Sequence, residues 1–430
     1  MSRITSKRVP KLPEILERTG IYARFYLMYL PALKERNFRL FLSTHGLMMI
    51  GDWLISLAII WMAFRLTNNP LLMGIVSSLS SLPHLIFAPW VGPLADTSNR
   101  RLVVFWGQLI IVVLLLSYAA MSFLFGMNYI LVALFATLYG TMWAFMSPSL
   151  YGFTLDIVGK ECYMNANSLT RTAFSAARIV GPIIGGFLFE MTNGWGYCFL
   201  VSGLLMVPEL FMLRSIKVEC PSVKREGSVW ANFVPGFRHI VGKKTPLMVL
   251  GAIALAALFG YAGNLLVAPI CEKILGNKDI KGIMSAMIGI GAFAGALSMS
   301  LFANSRNGLK LFRSSALTFP VLGILIGISV WLKQPILLAI FYMFFGAAMV
   351  TTNVMGSNLM PNLVDKEYVG RSLGLYNVAL MGILPFGDFL SGLVSSILPI
   401  SLTVIGFHGI ILVPMVFLMA RLRRVKPAQD

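Results

Sequence analysis

The sequence is poor in charge, and poorest in acidic charge. Only 12% of its 430 residues are charged, and 17 Asp and Glu stand against 35 Lys and Arg. A soluble domain keeps roughly a quarter of its residues charged, because its surface must stay hydrated. Half that share cannot cover a water-facing surface of this size, so the composition excludes an ordinary soluble protein.

Cysteine and histidine are also scarce, with four of each. Cys162, Cys198, Cys220 and Cys271 fall on different segments without the spacing of metal ligands, so we expect free thiols, no metal site and no cofactor. The sequence contains no His-Glu-x-x-His pair, no Gly-x-Ser-x-Gly and no phosphate-binding loop, which argues against an enzyme. The longest linker is too short for the soluble domain of a receptor.

Long hydrophobic runs dominate the chain instead. Hydrophobic residues make up 57% of it, and the mean hydropathy is +0.79. A helix needs about 20 apolar residues to cross the hydrocarbon core, and these runs are too continuously apolar for barrel strands. The sequence predicts an all-α membrane protein with twelve transmembrane helices, at residues 40–63, 71–91, 102–124, 130–153, 172–189, 196–213, 247–270, 283–302, 314–332, 335–358, 374–397 and 400–420.

The formal charge of +18 follows this topology. Of the 35 basic residues, 29 lie on the side of the two termini and only five on the opposite side: Arg65, Lys273, Lys278, Lys281 and Lys333. Such an asymmetry predicts that both termini are cytoplasmic. The basicity is therefore topological, and we expect no nucleic-acid partner.

The spans divide into two halves joined by a polar linker. We predict an N-terminal tail at 1–37, a six-helix bundle at 38–213, a cytoplasmic linker at 214–246, a second six-helix bundle at 247–421 and a tail at 422–430. Residues 155–161 after the fourth span resemble residues 361–367 after the tenth, a shift of 206, and a weaker similarity after spans two and eight has a shift of 208. Parallel six-span halves of this kind are a transporter architecture with the substrate site between them.

The loop after span two reads Gly92-Pro93-Leu94-Ala95-Asp96-Thr97-Ser98-Asn99-Arg100-Arg101. It resembles the signature of the major facilitator superfamily, although an ordinary basic turn is the alternative. The resemblance implies two six-helix bundles, transport by alternating access, and a cytoplasmic gate that uses Gly92, Asp96, Arg100 and Arg101. The second half departs from the pattern, since its copy lacks the acid and the basic pair.

Span five contains Gly181, Pro182, Gly185 and Gly186, which look like the glycine-proline motif of the superfamily's exporters. Gly291 and Gly295 of span eight are the expected counterpart across the boundary between the halves. The alternative is tight helix packing without meaning for direction. The opening of span one, from Asn37 to Trp53, is similar to the bacterial branch with enterobactin exporters, macrolide efflux pumps and lysophospholipid transporters, which implies the bacterial inner membrane.

Asp52 lies near the middle of span one, with His45 and Ser56 on the same helical face. Because a charge in the bilayer interior is costly, this stripe suggests a hydrated cavity with a carboxylate that binds a proton. The alternative is a structural acid paired with Arg178. Asp388 in span eleven is the second candidate, for a proton site or for a hydrogen-bonded structural role.

Two further acids, Glu190 and Glu209, lie nearer span ends, where we expect them to reach interfacial water. In the superfamily, spans one, four, seven and ten line the cavity. The resemblance therefore places near the substrate His45, Trp143, Ser147, Tyr261, Asn264, Thr351 and Asn353.

These mostly uncharged, aromatic and amide groups suit an amphipathic substrate. We expect a monomeric, proton-coupled exporter of a siderophore-like or drug-like compound, in contact with membrane lipid. A lysophospholipid flippase or an uptake facilitator of the same fold is the alternative.

Overall fold

The structure is a computed structural model that describes residues 31–191, 194–216, 240, 242–277, 279–302, 308–365 and 369–423. Within these ranges, the side chains of residues 88–90, 92–97, 151, 160, 164, 300–302 and 369–371 are not described. Twelve helices in the described chain are long and apolar enough to cross a membrane. They are α1 Arg36–Thr67, α2 Pro70–Phe87, α3 Arg100–Phe125, α4 Tyr129–Gly159, α5 Glu161–Phe189, α6 Gly194–Ser215, α7 Lys244–Ile274, α8 Lys281–Met299, α9 Gly308–Trp331, α10 Pro335–Leu363, α11 Ser372–Ile397 and α12 Ile400–Leu422.

Each predicted span corresponds to one of these helices, which confirms the all-α fold class. The largest difference is in α5, which begins at Glu161 instead of residue 172. Its first residues are polar, so hydropathy alone does not detect the helix there. Gly159 separates α4 from α5 with φ 72°, a backbone conformation that glycine adopts at no steric cost.

Successive helices alternate in direction, so both ends of the described chain lie on one side of the membrane. We call this the termini side and the opposite one the far side. Residues 1–30, 217–239 and 424–430 lie outside the described residues, so the predicted tails and most of the linker 214–246 are without structural description.

The two halves, α1–α6 and α7–α12, touch through two pairs of glycines. A Cβ atom on Gly74 would lie 3.0 Å from the Cα of Gly392, which brings α2 against α11. Gly186 and Gly282 bring α5 against α8 in the same way. Gly74 and Gly282 are 208 residues apart, and Gly186 and Gly392 are 206 apart, so these contacts follow the two sequence shifts.

Helices α7 and α11 depart from α-helical geometry near mid-membrane. A π-helical segment occupies Ala256–Gly260 of α7, and another occupies Val378–Gly382 of α11. Such irregular backbone is tolerated at membrane depth where protein or a hydrated cavity surrounds it. A ring nitrogen of His408 in α12 lies 3.1 Å from the carbonyl oxygen of Gly260 and supports the break.

Candidate functional site

Asp52 is bound to a helix of its own half. The hydroxyl of Tyr139 in α4 donates a hydrogen bond of 2.5 Å to Oδ1 of Asp52. The ring of Tyr139 stacks on Phe135 with centroids 5.4 Å apart, which fixes the hydroxyl. Trp143 lies one helical turn further along α4, and its buried indole N–H lies close to both groups. Ser147 follows after another turn and is partly exposed.

The expected pair of Asp52 and Arg178 is not formed. The guanidinium of Arg178 in α5 instead covers the ring of Trp53, 5.1 Å from its centroid. Its Nη2 lies 4.0 Å from Sδ of Met349 in α10. The interpretation of Arg178 as the counter-ion of Asp52 is therefore wrong for this conformation, because the guanidinium points across the boundary between the halves.

Tyr261 and Asn353, two of the predicted cavity residues, meet in the second half. The amide Nδ2 of Asn353 in α10 donates a hydrogen bond of 2.9 Å to the hydroxyl oxygen of Tyr261, which follows the π-helical segment of α7. Tyr376 of α11 donates to the carbonyl oxygen of Asn353 at 2.6 Å. Asn264 lies three residues beyond Tyr261 and is partly exposed.

Thr351 lies apart from the pair of Tyr261 and Asn353. It is 8% exposed and lines a groove of about 440 Å³ together with residues of α8 and α9, including Ser298 and Ser315. Side chains two positions apart in an α-helix point in directions about 200° apart, so Asn353 and Thr351 cannot face the same cavity. The structure therefore separates Thr351 from the pair of Tyr261 and Asn353, and its place near the substrate stays a prediction.

Asp388 links the two halves. The hydroxyl of Ser77 in α2 donates a hydrogen bond of 2.6 Å to Oδ2 of Asp388, and Ser78 donates to the carbonyl oxygen of Pro385 at 2.7 Å. Ser391 and Ser395, which follow Asp388 on α11, donate to carbonyls of their own helix. The partner of this deep acid is therefore a hydroxyl of the other half.

His45 and Glu209 form a buried pair inside the first half. Nδ1 of His45 lies 2.8 Å from Oε1 of Glu209, and both side chains are 1% exposed. Two predictions fail here, because His45 does not face a cavity and Glu209 does not reach interfacial water. The physical reason is mutual pairing, which makes the burial of both groups tolerable.

An ionic cluster joins the halves on the far side. Nη2 of Arg65 in α1 lies 2.9 Å from Glu190 and 3.0 Å from Glu272 in α7. Lys281 at the start of α8 is fully buried; it pairs with Glu190 and lies 3.0 Å from Glu272. The ammonium of Lys281 also lies 4.0 Å from the ring centroid of Phe189. We name Arg65, Glu190, Glu272 and Lys281 the far-side cluster.

The predicted gate motif lies on the termini side. Nη1 of Arg100 binds Asp156 at the end of α4, at 3.0 and 3.2 Å, and Arg101 donates to the carbonyl oxygen of Ile216 at 2.6 Å. These partners belong to the first half, so they join α3 to α4 and to the end of α6. The contacts of Gly92 and of the Asp96 side chain are not described, and the gating role of the motif stays a prediction.

The glycine-proline motif packs α5 on two helices at once. A Cβ atom on Gly181 would lie 2.7 Å from Cβ of Trp53, and Gly185 also faces α1, at Leu54. Gly186 and the carbonyl oxygen of Pro182 instead contact Gly282 of α8. The close-approach interpretation of this motif is confirmed.

The prediction of which α8 residues are the counterpart of the glycine-proline motif is wrong. Gly291 and Gly295 face Ala347 of α10, within the second half. The glycines of α8 that face α5 are Gly282 and Gly289. They are spaced seven residues apart, which is a same-face spacing that the sequence displays.

Sequence reasoning also missed Tyr139, Ser77 and the far-side cluster. Tyr139 lies four residues before Trp143, so the helical period could have placed it at Asp52. The members of the far-side cluster appeared in the sequence only as charged residues in loops or near span ends. Three of the four cysteines, Cys162, Cys198 and Cys271, are described and are free thiols, as predicted.

The chain is similar to known transporters over most of its length. The sequence profile of the Major Facilitator Superfamily matches residues 41–387. The staphyloferrin A transporter of Staphylococcus aureus is 22% identical over 272 residues, which cover 60% of this chain and 65% of that protein. An enterobactin exporter of Salmonella typhimurium is 24% identical over 293 residues, 66% of this chain and 68% of that protein. The matches therefore span about two thirds of these relatives.

The fold also has solved counterparts. The structure of a bacterial homologue of the iron transporter ferroportin, in its inward-facing state, aligns with a TM-score of 0.69 over 90% of this chain and 99% of that chain, at 14% identity. The profile match, the twelve helices and this likeness agree. The chain belongs to the Major Facilitator Superfamily and is a multi-pass transporter of the bacterial inner membrane, not an enzyme.

Proposed function

We propose that the protein is a proton-coupled exporter of an amphipathic small molecule that works by alternating access. The observation that carries the proposal is a pair of deep carboxylates, Asp52 and Asp388, neither of which forms an ion pair with a described basic residue. Each is bound by one hydroxyl instead, that of Tyr139 or Ser77. A membrane-embedded acid without a counter-ion is suited to binding and releasing a proton.

Proton exchange at Asp388 offers a route to conformational change. An ionised acceptor makes a hydrogen bond roughly twice as strong as a neutral one. The charge of Asp388 thus controls how tightly α2 holds α11, since Ser77 crosses the boundary between the halves. Opening of the far side also requires the far-side cluster to separate, because Arg65–Glu272 and Lys281–Glu190 each join one half to the other.

The groups around Arg178 and Asp52 support an amphipathic substrate. They are the rings of Trp53 and Trp143 in the first half and the ring of Tyr261, the sulfur of Met349 and the amide of Asn353 in the second. We call this set the wall. Aromatic and thioether groups adapt to bulky apolar bodies, and a few polar groups orient them. The names of the two relatives, one for staphyloferrin A and one for enterobactin, support a siderophore-like compound and outward transport. One chain supplies both sides of the wall, so we propose a monomer that needs only substrate, protons and surrounding lipid.

The test is transport by purified protein in sealed lipid vesicles, with and without a pH gradient. Asp52→Asn is expected to abolish the part of the flux that the pH gradient drives, while the protein still inserts. The control is Asp279→Asn, which removes an exposed acid of the far side. Full coupling in Asp52→Asn would remove Asp52 from the mechanism, and transport of labelled lysophospholipid without any pH dependence would favour a flippase instead.

A further inference from the structure

Arg178 differs from the other cations described deep in the structure. Lys281 and Arg65 each lie against two carboxylates of the far-side cluster. Arg178 forms no ion pair with any described residue, although it lies eleven residues before the far-side end of α5. At roughly 1.5 Å per residue this is about 16 Å from that end, near mid-membrane.

The contacts of Arg178 leave its hydrogen-bonding capacity unused. A guanidinium carries five N–H donors, and a thioether sulfur is only a weak acceptor. The Met349 sulfur at 4.0 Å and the face of Trp53 at 5.1 Å position the group without satisfying those donors. Arg178 is partly exposed, so these donors are open to a ligand, and an intramembrane cation at this depth marks a functional site by default.

A second donor lies close to Arg178. The hydroxyl oxygen of Tyr261 accepts the hydrogen bond from Asn353, which leaves the hydroxyl hydrogen free to donate. Tyr261 lies within electrostatic range of Arg178. The two groups stand on opposite halves, one on α5 and one on α7, and each presents N–H or O–H donors to the boundary.

We infer that the transported molecule carries an anionic group, a carboxylate or a comparable oxyanion, which Arg178 binds and Tyr261 helps to hold. Arginine matches such groups because its planar fork can make two parallel N–H···O bonds. The aromatic and methionine wall then accommodates the apolar body. This inference rests on the proposed function, and it narrows the substrate class from amphipathic compounds to amphipathic anions.

The test compares matched pairs of compounds on the purified protein. Each pair is an aromatic or acyl carboxylate, such as dansylglycine, and its neutral amide, such as dansylglycinamide. Binding is measured as thermal stabilisation over a range of concentrations, because a ligand of the folded state raises the apparent stability. We expect the wild type to bind carboxylates about tenfold to a hundredfold more tightly than their amides, in line with a charge-assisted hydrogen bond.

Variants of Arg178 separate binding from a structural role. Arg178→Gln is expected to lose the preference for carboxylates, Arg178→Lys to keep part of it, and Tyr261→Phe to reduce carboxylate affinity several-fold. A structural role alone would change the melting temperature without ligand and leave the carboxylate-to-amide ratio unchanged in Arg178→Gln.

Three outcomes overturn the inference: a preference that survives in Arg178→Gln, equal binding of carboxylates and amides, or no carboxylate that stabilises the wild type. Proton-driven transport of a neutral or cationic compound in vesicles would also overturn it and leave the exporter proposal intact. Absence of any pH-dependent transport, with the carboxylate preference preserved, would instead refute the proposed coupling and retain the anion site.

Discussion

A Cβ atom on Gly186 would lie 2.7 Å from the Cα of Gly282, so α5 and α8 meet backbone to backbone at the boundary between the halves. Only a residue without a side chain permits this approach. The contact lies next to the far-side cluster, since Glu190 follows α5 and Lys281 begins α8. Packing and charge therefore hold the same end of the molecule closed.

Gly186→Val is expected to push α5 and α8 apart and to open the far side. Overpacking of a tight contact costs about 1–3 kcal/mol, which is roughly one to two powers of ten in the population of the closed state. Cys271 is a native reporter, because its thiol is fully buried and lies close to Lys281 and Glu272. In a variant whose only cysteine is Cys271, a soluble maleimide should react about tenfold faster after the substitution.

Gly406→Val is the matched control, since a Cβ atom at Gly406 meets no atom within 4 Å. It places the same β-branched residue in a helix without touching the boundary. Equal labelling rates in the two variants would show that the glycine contact does not keep the far side closed.

Lys281→Gln is expected to weaken the far-side cluster. The ammonium is fully buried between Glu190 and Glu272, and its removal leaves Arg65 as their one partner within the cluster. Loss of a charged hydrogen-bond donor from a largely buried site costs about 1–3 kcal/mol. Labelling of Cys271 should become faster, and the rate of export should fall, because the closed state forms less often.

Lys310→Gln serves as the control for charge, since Lys310 is exposed on the termini side. If Lys281→Gln labels Cys271 no faster than this control, then the cluster is not a barrier to opening. Glycine contacts alone would then be responsible for closure.

Tyr139→Phe is expected to lower proton-driven transport while the fold is retained. The substitution keeps the ring that stacks on Phe135 and removes the hydroxyl that binds Asp52. We expect a rate at least several-fold lower and a loss of stability of about 1 kcal/mol, the usual net contribution of one hydrogen bond. Vesicle flux at several pH values measures the first and thermal unfolding the second. A flux equal to that of the wild type at every pH would show that the hydroxyl does not serve Asp52 in transport.

The pair of His45 and Glu209 is expected to behave as a coupled unit. His45→Leu leaves the carboxylate of Glu209 buried without its partner, which costs about 3–5 kcal/mol. Oε2 of Glu209 has no hydrogen-bond partner among the described residues. Replacement of both groups by apolar side chains therefore loses few hydrogen bonds. The double variant with Leu at both positions should therefore melt at a higher temperature than His45→Leu alone. Additive losses in a double-mutant cycle would contradict this coupling.

The twelve helices and the deep polar groups could be predicted from the sequence, but the pairing of those groups could not. Asp52, Asp388, Tyr261 and Asn353 were found because a polar residue inside an apolar run is conspicuous. The partners of the two acids were not found, since the partner of a membrane-embedded group lies on another helix. Ser77 and Asp388 are 311 residues apart, and nothing local in the chain relates them.

Hydropathy by itself determined the class of this protein and its number of helices. It could do so because a crossing of about 30 Å needs about 20 apolar residues, which is a local requirement. The tertiary structure decided which face of each helix meets which neighbour. One residue turns a helix by about 100°, so small differences in rotation sent Arg178 to Met349 instead of Asp52 and His45 to Glu209 instead of the cavity.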